Sequence, residues 1–281
     1  IVIARMVDPS AYGLIGMLAI FMALGQAFSE LGLSSAIIQK KEVNDDDLMT
    51  VFVVNVLAGI VVFAFFCALS PLVAKFYHEP LMVPLLCAQS LTFILASLGA
   101  VQAAVISREM LFRFNAKVEV FACIVGGSVG VSMAFAGYGV WSLVGLGLSR
   151  LLTRVVLLWI FGSWRCQGKF SKESFKTTWA YSSRLLYASL FHRVVTNLYS
   201  VIIGRVYSPA ALGLYTRAFS LQQMPVGIIG GIVQRVAFPL FSKHQEDTAY
   251  IFNTLRRQIR LILAIVATGM AVLCAIAEQL I

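Results

Sequence analysis

Residues 140–161, VWSLVGLGLSRLLTRVVLLWIF, indicate the fold class of this 281-residue chain. Trp141 and Trp159 are eighteen positions apart, which in an α-helix is five turns and about 27 Å of rise. That rise matches the hydrocarbon core of a bilayer, and tryptophans favour its two interfaces. Arg150 lies halfway between them, on the opposite side of the helix. The stretch therefore predicts a membrane helix whose tryptophans face lipid and whose arginine faces inward.

The composition extends this prediction to the whole chain. Hydrophobic residues make up 59% and charged residues 12%, with a mean hydropathy of +0.86, whereas a soluble domain carries roughly 25% charged residues. Apolar stretches of spanning length predict an all-α polytopic membrane protein, since a barrel would show short alternating segments. We place helices at residues 14–38, 48–74, 81–107, 115–137, 140–161, 177–204, 211–238 and 257–281, and the end of another at 1–7.

The positions of the basic residues predict the orientation of these helices. Thirteen lysines and arginines fall in loops on one side and three fall on the other, so the positive-inside rule makes the thirteen cytoplasmic. The net charge of +9 reflects this topology, and no nucleic-acid partner is predicted. The five cysteines and three histidines are scattered without metal-ligand spacing, so we predict no metal, no cofactor and no enzyme active site.

An internal repeat predicts the domain organisation. RMVDPSAYGL at residues 5–14 recurs as RVYSPAALGL at 205–214, and both copies fall on the predicted external side. Two parallel repeats of six helices, related by an axis along the membrane normal, would explain this, although such Pro/Gly turns also recur by chance. We therefore expect a fragment of a longer protein. Its predicted parts are an N-terminal lobe at 1–161 with a truncated first helix, a cytoplasmic linker at 162–176, and a truncated C-terminal lobe at 177–281.

Arginines inside the predicted helices are candidate ligands for an anion. Arg150 and Arg154 share one helix face, and two like charges there need a water-filled space or an anion beside them. Glu30 in the second helix could instead neutralise one arginine, which would make a buried ion pair that joins two helices. Both interpretations stay open from the residues alone.

The helix at 177–204 carries a second cationic face. Arg193 belongs to a polar stripe that is suited to line a cavity or to pack helices. Arg184 lies near the cytoplasmic end, where its side chain can reach water. Arg217 and Arg235 in the next helix add to the predicted cationic lining.

Two short patterns predict structural roles. The run Asp45 to Asp47 follows Asn44 at the start of a helix, where carboxylates cap free amides and meet the positive end of the helix dipole. A metal or nucleotide-sugar site is the less favoured interpretation of this run. Gly126 and Gly130 are four residues apart, and this spacing lets two membrane helices approach closely.

Several short motifs carry a family resemblance: Asp8-Pro-Ser-Ala-Tyr-Gly13, Glu30-Leu-Gly-Leu33 with Ile38-Gln39-Lys40, Phe76-Tyr77, Ile203-Gly-Arg205, and Ala211-Leu-Gly-Leu-Tyr215 with Arg217-Ala218. Together they resemble the polysaccharide exporters of the MOP flippase superfamily, closest to the Wzx-type branch that includes colanic acid exporters. The resemblance covers essentially the whole chain. It implies a MATE-like fold with two six-helix lobes around a central cavity, in the bacterial inner membrane. It also implies outward flipping of undecaprenyl-diphosphate-linked oligosaccharide units for surface polysaccharide export.

The resemblance and the arginines together define the candidate site. A diphosphate requires concentrated positive charge, which arginines supply as forked donors. Relatives often carry Asn-Leu-Asp where this chain has Asn197-Leu198-Tyr199, so coupling to H⁺ or Na⁺ would use Glu30. Membrane lipids and the glycan-assembly machinery are the further partners implied. The candidate substrate-binding residues are Arg150, Arg154, Arg184, Arg193, Asn197 and Arg217.

Two other functions compete with this one. Cation-coupled multidrug efflux, in a neighbouring branch of the superfamily, would favour carboxylates and aromatic rings in the cavity. A membrane glycan polymerase or ligase would need a large external loop with catalytic residues, whereas the predicted external loops are short.

Overall fold

A computed structural model describes most of the first 223 residues of the chain, within which the regular structure is entirely helical. This confirms the predicted all-α fold class. Contacts divide the chain into two compact units, Ile1–Gly213 and Leu214–Ile281. The described residues are 6–30, 33–40, 43–220, 222–223, 256, 259–260, 262–264, 266–271 and 274.

Seven helices have defined bounds, and a further helical segment covers residues 209–220. The helix predicted at 140–161 has those bounds, while the one predicted at 14–38 corresponds to two helices, α1 and α2. Residues 1–5 of the helix end predicted at 1–7, and the helix ends predicted at 238 and 281, lie outside the described residues. The helices are α1 Pro9–Glu30, α2 Leu33–Gln39, α3 Asp45–Tyr77, α4 Met82–Arg108, α5 Phe112–Phe135, α6 Val140–Phe161 and α7 Lys172–Val206.

Five of the described helices are long and apolar enough to cross a membrane: Ser10–Ser29 within α1, and α3, α4, α5 and α6. Large apolar side chains such as Val61, Leu72 and Phe121 are exposed on them, as expected of a surface in contact with lipid. α7 is the longest helix at 35 residues, but its polar side chains leave it less apolar than these five. The chain is therefore a polytopic membrane protein.

Contacts at the two ends of the helices group the loops as the charge pattern predicts. At one end, the Arg108 guanidinium donates hydrogen bonds to the backbone carbonyls of Ile37 and Lys40. At the other end, the Arg205 guanidinium lies 5.3 Å from the centre of the Phe76 ring. Lys40 and Arg108 are among the thirteen basic residues predicted on the cytoplasmic side, while Arg205 and Lys75, which precedes Phe76, are among the three predicted on the other side.

The two copies of the repeated turn meet at this second end. A Cβ atom built on Gly13 would lie 1.7 Å from the carbonyl oxygen of Pro209, so the approach requires glycine. Nearby, Leu212 is fully buried and lies against Gly204 near the end of α7. The two turns therefore lie close together, while their external position and the six-helix halves stay predictions.

The linker between α6 and α7 lies against the N-terminal end of α3. Asp46 Oδ1 accepts a hydrogen bond from the backbone N–H of Lys169 at 2.7 Å, and Thr50 Oγ1 accepts one from that of Ser171 at 2.9 Å. Ser174 Oγ donates to Asp47 Oδ1 at 2.5 Å. We call this set of contacts the linker clasp.

Asp47 also organises the first turn of α3. Its Oδ2 atom pairs with Lys40 Nζ at 2.6 Å and accepts from the backbone N–H of Asn44 at 3.1 Å. This is the capping role predicted for the acidic run. Gly168 reaches the same helix end with a φ of +110°, and a Cβ there would lie 2.6 Å from the Asp45 carbonyl.

Candidate functional site

A cavity of about 520 Å³ lies between α1, α2, α4 and α6. Small residues of α4, among them Ala96 and Ala100, leave space where larger side chains would fill it. The polar residues in its wall are Gln26, Ser34, Thr92 and Arg154. Its size falls within the range of small-molecule sites, and its mostly apolar wall with a few polar groups is typical of them.

Arg154 on α6 is the cationic residue in the described wall of this cavity. Its side chain is 34% exposed, and its Nε atom lies 3.3 Å from Glu119 Oε2 on α5. That nitrogen is buried, and its geometry does not satisfy a hydrogen bond despite the short distance. The ion pair is therefore loose: no hydrogen bond from Nε reinforces it. The Arg154 guanidinium can consequently also interact with a ligand in the cavity.

A second arginine approaches the cavity from α7. Arg193 Nη1 donates to Gln26 Oε1 at 3.5 Å, a long hydrogen bond, and Gln26 belongs to the cavity wall. The Asn197 side chain donates to the Arg193 carbonyl at 2.8 Å, so its amide is engaged with its own helix. Arg154 and Gln26 thus belong to the cavity wall, and Gln26 connects Arg193 to it.

Arg150 has a different environment from the one predicted. It is absent from the described cavity wall, its side chain is 45% exposed, and its Nη2 lies 2.5 Å from Glu119 Oε1. Arg150 is therefore in an ion pair, and Glu119 is a partner that the sequence analysis did not name. A charged pair of this kind lowers the repulsion between Arg150 and Arg154.

The lipid-facing position predicted for Trp159 is wrong. Its indole N–H donates to the Leu98 carbonyl at 2.9 Å, and its ring packs against Phe52 and Trp164 at centroid distances of 5.7 and 6.0 Å. An indole finds both an apolar contact and an acceptor in this cluster. Trp159 therefore packs against protein and connects α6 to α3 and α4.

Glu119 is the site residue that sequence reasoning missed, although a signal was present. α5 and α6 form a hairpin around Gly137 and Gly139, both of which have positive φ values. Glu119 lies eighteen residues before Gly137, and Arg154 lies fifteen after Gly139, so an antiparallel register brings them close. The turn glycines indicated a hairpin, but which side chains pair across it was known only from the packed structure.

Three other predicted site residues are not placed at the cavity. The side chains of Glu30 and Arg184 lie outside the described part of the structure. Arg217 is half-buried in the segment 209–220 and belongs to the second compact unit.

Comparison with known proteins gives a consistent family. A family model described as polysaccharide biosynthesis protein matches residues 2–281. The lipopolysaccharide biosynthesis protein WzxC of Escherichia coli strain K12 is 29% identical over 250 residues, which cover 88% of this chain and 51% of WzxC. The teichuronic acid biosynthesis protein TuaB of Bacillus subtilis strain 168 is 26% identical, covering 80% of this chain and 47% of TuaB.

A third relative is named as a transport protein. The succinoglycan biosynthesis transport protein ExoT of Rhizobium meliloti strain 1021 is 23% identical over 278 residues, 99% of this chain and 56% of ExoT. The chain thus spans about half the length of the curated relatives it matches. No solved structure gives a significant match to it.

Proposed function

Because this chain belongs to the polysaccharide biosynthesis protein family, we propose that it is part of a flippase for undecaprenyl-diphosphate-linked oligosaccharide units. It is a multi-pass protein of the bacterial inner membrane. The family match agrees with the resemblance found in the sequence. In this function the units move outward for the export of surface polysaccharide.

The arginine in the wall of a mostly apolar cavity supports this proposal most directly. A lipid diphosphate combines a concentrated negative charge with a long apolar chain. Arg154 can meet the phosphate oxygens as a forked donor, and Arg193 lies within reach through Gln26. The small apolar side chains of α4 suit the lipid part.

The competing functions fit these residues less well. Efflux of cationic drugs would favour carboxylates in the cavity, and the described wall contains Arg154 but neither Asp nor Glu. A polymerase or ligase would need a large external loop, whereas the segments between α3 and α4 and between α5 and α6 are only four residues each, 78–81 and 136–139. Transport without catalysis is the activity we propose.

The other proposed roles, for coupling and for substrate contact, rest on the sequence analysis. Glu30 is the last residue of α1, four residues after Gln26, and stays our candidate for coupling to H⁺ or Na⁺. Arg184, Asn197 and Arg217 stay candidate substrate contacts. The organisation into two six-helix lobes, and contact with the glycan-assembly machinery, belong to the same proposal.

Binding and flipping of undecaprenyl diphosphate by the reconstituted protein test this function. Arg154→Ala should weaken binding by roughly tenfold or more, since hydrogen bonds to charged groups contribute about 1.5–3 kcal/mol each. Arg193→Ala should have a smaller effect, because its link to the cavity is a long hydrogen bond to Gln26. The matched control is Arg113→Ala, an exposed arginine in the first turn of α5.

Membrane abundance of all three variants should equal that of the unmodified protein. Equal binding and equal flipping by Arg154→Ala at equal abundance would contradict the role of the cavity.

A further inference from the structure

Glu119 lies between the two arginines of α6 and pairs with each through a different oxygen. Its Oε1 atom is 2.5 Å from Arg150 Nη2, and its Oε2 atom is 3.3 Å from Arg154 Nε. Nothing in the proposed function assigns a role to this carboxylate. The three groups sum to a net charge of +1, since one negative charge faces two positive charges.

The close packing of α5 on α6 brings Glu119 to the two arginines. Gly126 is seven residues, or about two turns, after Glu119, so both lie on the face of α5 that packs on α6. A Cβ on Gly126 would lie 2.6 Å from the Arg150 Cβ atom, so glycine permits the close approach. This confirms the close packing predicted at Gly126, which brings α5 near enough to α6 for the Glu119 side chain to reach both arginines.

The two halves of the cluster are unequal. The Arg150 contact is short and hydrogen-bonded, whereas the Arg154 contact is longer and its nitrogen is not aligned for a hydrogen bond. Of the two arginines, only Arg154 belongs to the described cavity wall. An anion that enters the cavity therefore meets the arginine that Glu119 holds less firmly.

We propose that Glu119 is an internal counter-ion that competes with the substrate diphosphate for Arg154 and so promotes its release. This inference rests on the proposed function. When the cavity is empty, Glu119 offsets the repulsion between the arginines. When a diphosphate binds, Arg154 exchanges the loose carboxylate contact for phosphate oxygens, and Arg150 keeps Glu119. When the diphosphate leaves, the Glu119–Arg154 ion pair forms again. This lowers the free-energy cost of release, because Arg154 is not left without a partner.

Glu119→Gln tests this positioning role, because it removes the negative charge with little change in shape. Binding of undecaprenyl diphosphate to the purified protein in nanodiscs should tighten by about tenfold. Flipping in vesicles should show a lower KM and a lower kcat, since release becomes slower. The matched control is Glu109→Gln, an exposed carboxylate just after α4, which should change neither binding nor flipping.

A double-mutant cycle identifies the partner. The gain in affinity from Glu119→Gln should vanish in the Arg154→Ala background, because the competition acts through Arg154. A purely structural Glu119 would give weaker binding and lower abundance instead of tighter binding. Normal binding by the unmodified protein with unchanged or weakened binding by Glu119→Gln would overturn the counter-ion role alone. Failure of the unmodified protein to bind undecaprenyl diphosphate would overturn the proposed function as well.

Discussion

The linker clasp and the cavity both contain polar side chains of the same compact unit, but their hydrogen bonding differs. In the clasp, Asp47 has partners in Lys40, Asn44 and Ser174. In the cavity wall, Ser34 Oγ is buried without a hydrogen-bond partner among the described residues. Within the same part of the chain, Arg154 pairs with Glu119 at 3.3 Å, and its Nε atom makes no hydrogen bond. The difference indicates that polar groups of the clasp maintain the fold, whereas those of the cavity are available to a ligand.

The largest effect on stability should come from breaking the clasp at its centre. Asp47→Ala leaves Lys40 and Ser174 without their shared acceptor, and we expect a loss of about 2–4 kcal/mol in the free energy of unfolding. Thermal unfolding of the purified protein in detergent measures it. The control is Asp45→Ala, an exposed carboxylate in the same helical turn, which should stay within about 0.5 kcal/mol. Equal stability of the two variants would contradict the prediction that the hydrogen bonds of Asp47 in the linker clasp stabilise the fold.

A smaller effect should follow from straining the linker where it crosses α3. Gly168→Ala combines an unfavourable positive φ with a clash against the Asp45 carbonyl, so we expect a loss of about 1–3 kcal/mol. Gly127→Ala is the control, because a Cβ there meets no atom within 4 Å. A helical site of this kind should be neutral or gain up to about 1 kcal/mol. A neutral Gly168→Ala would mean that the linker contact does not contribute to stability.

The smallest effect should come from Ser34→Ala in the cavity wall. No hydrogen bond to a described residue is lost, so the unfolding temperature should stay the same or rise slightly. Binding of undecaprenyl diphosphate should weaken by about threefold, because the Ser34 hydroxyl in the cavity wall is available to hydrogen-bond the substrate. Thr50→Val serves as the clasp counterpart, since Thr50 accepts from Ser171, and it should lower stability without changing affinity. A marked drop in stability for Ser34→Ala would show that the cavity wall is as firmly bonded as the clasp.

Local patterns in the sequence determined most of the helices and their grouping. The bounds of α6 were predicted to the residue, and the acidic cap of α3 and the close approach at Gly126 followed from short motifs. Helix formation and insertion depend on composition and length within one segment, so a single segment contains the information. The charges of each loop are likewise local, and they predict which ends of the helices lie on the same side of the membrane.

The pairing of helices depended on the tertiary structure. The sequence indicated that the arginines of α6 needed a partner, but only the packed hairpin showed that it is Glu119 and that Trp159 faces protein. The physical reason is that lipid tails and apolar side chains are equally apolar, so hydrophobicity cannot tell which face of a membrane helix meets lipid and which meets another helix. Register and small-residue contacts decide that, and they arise only when two segments pack together.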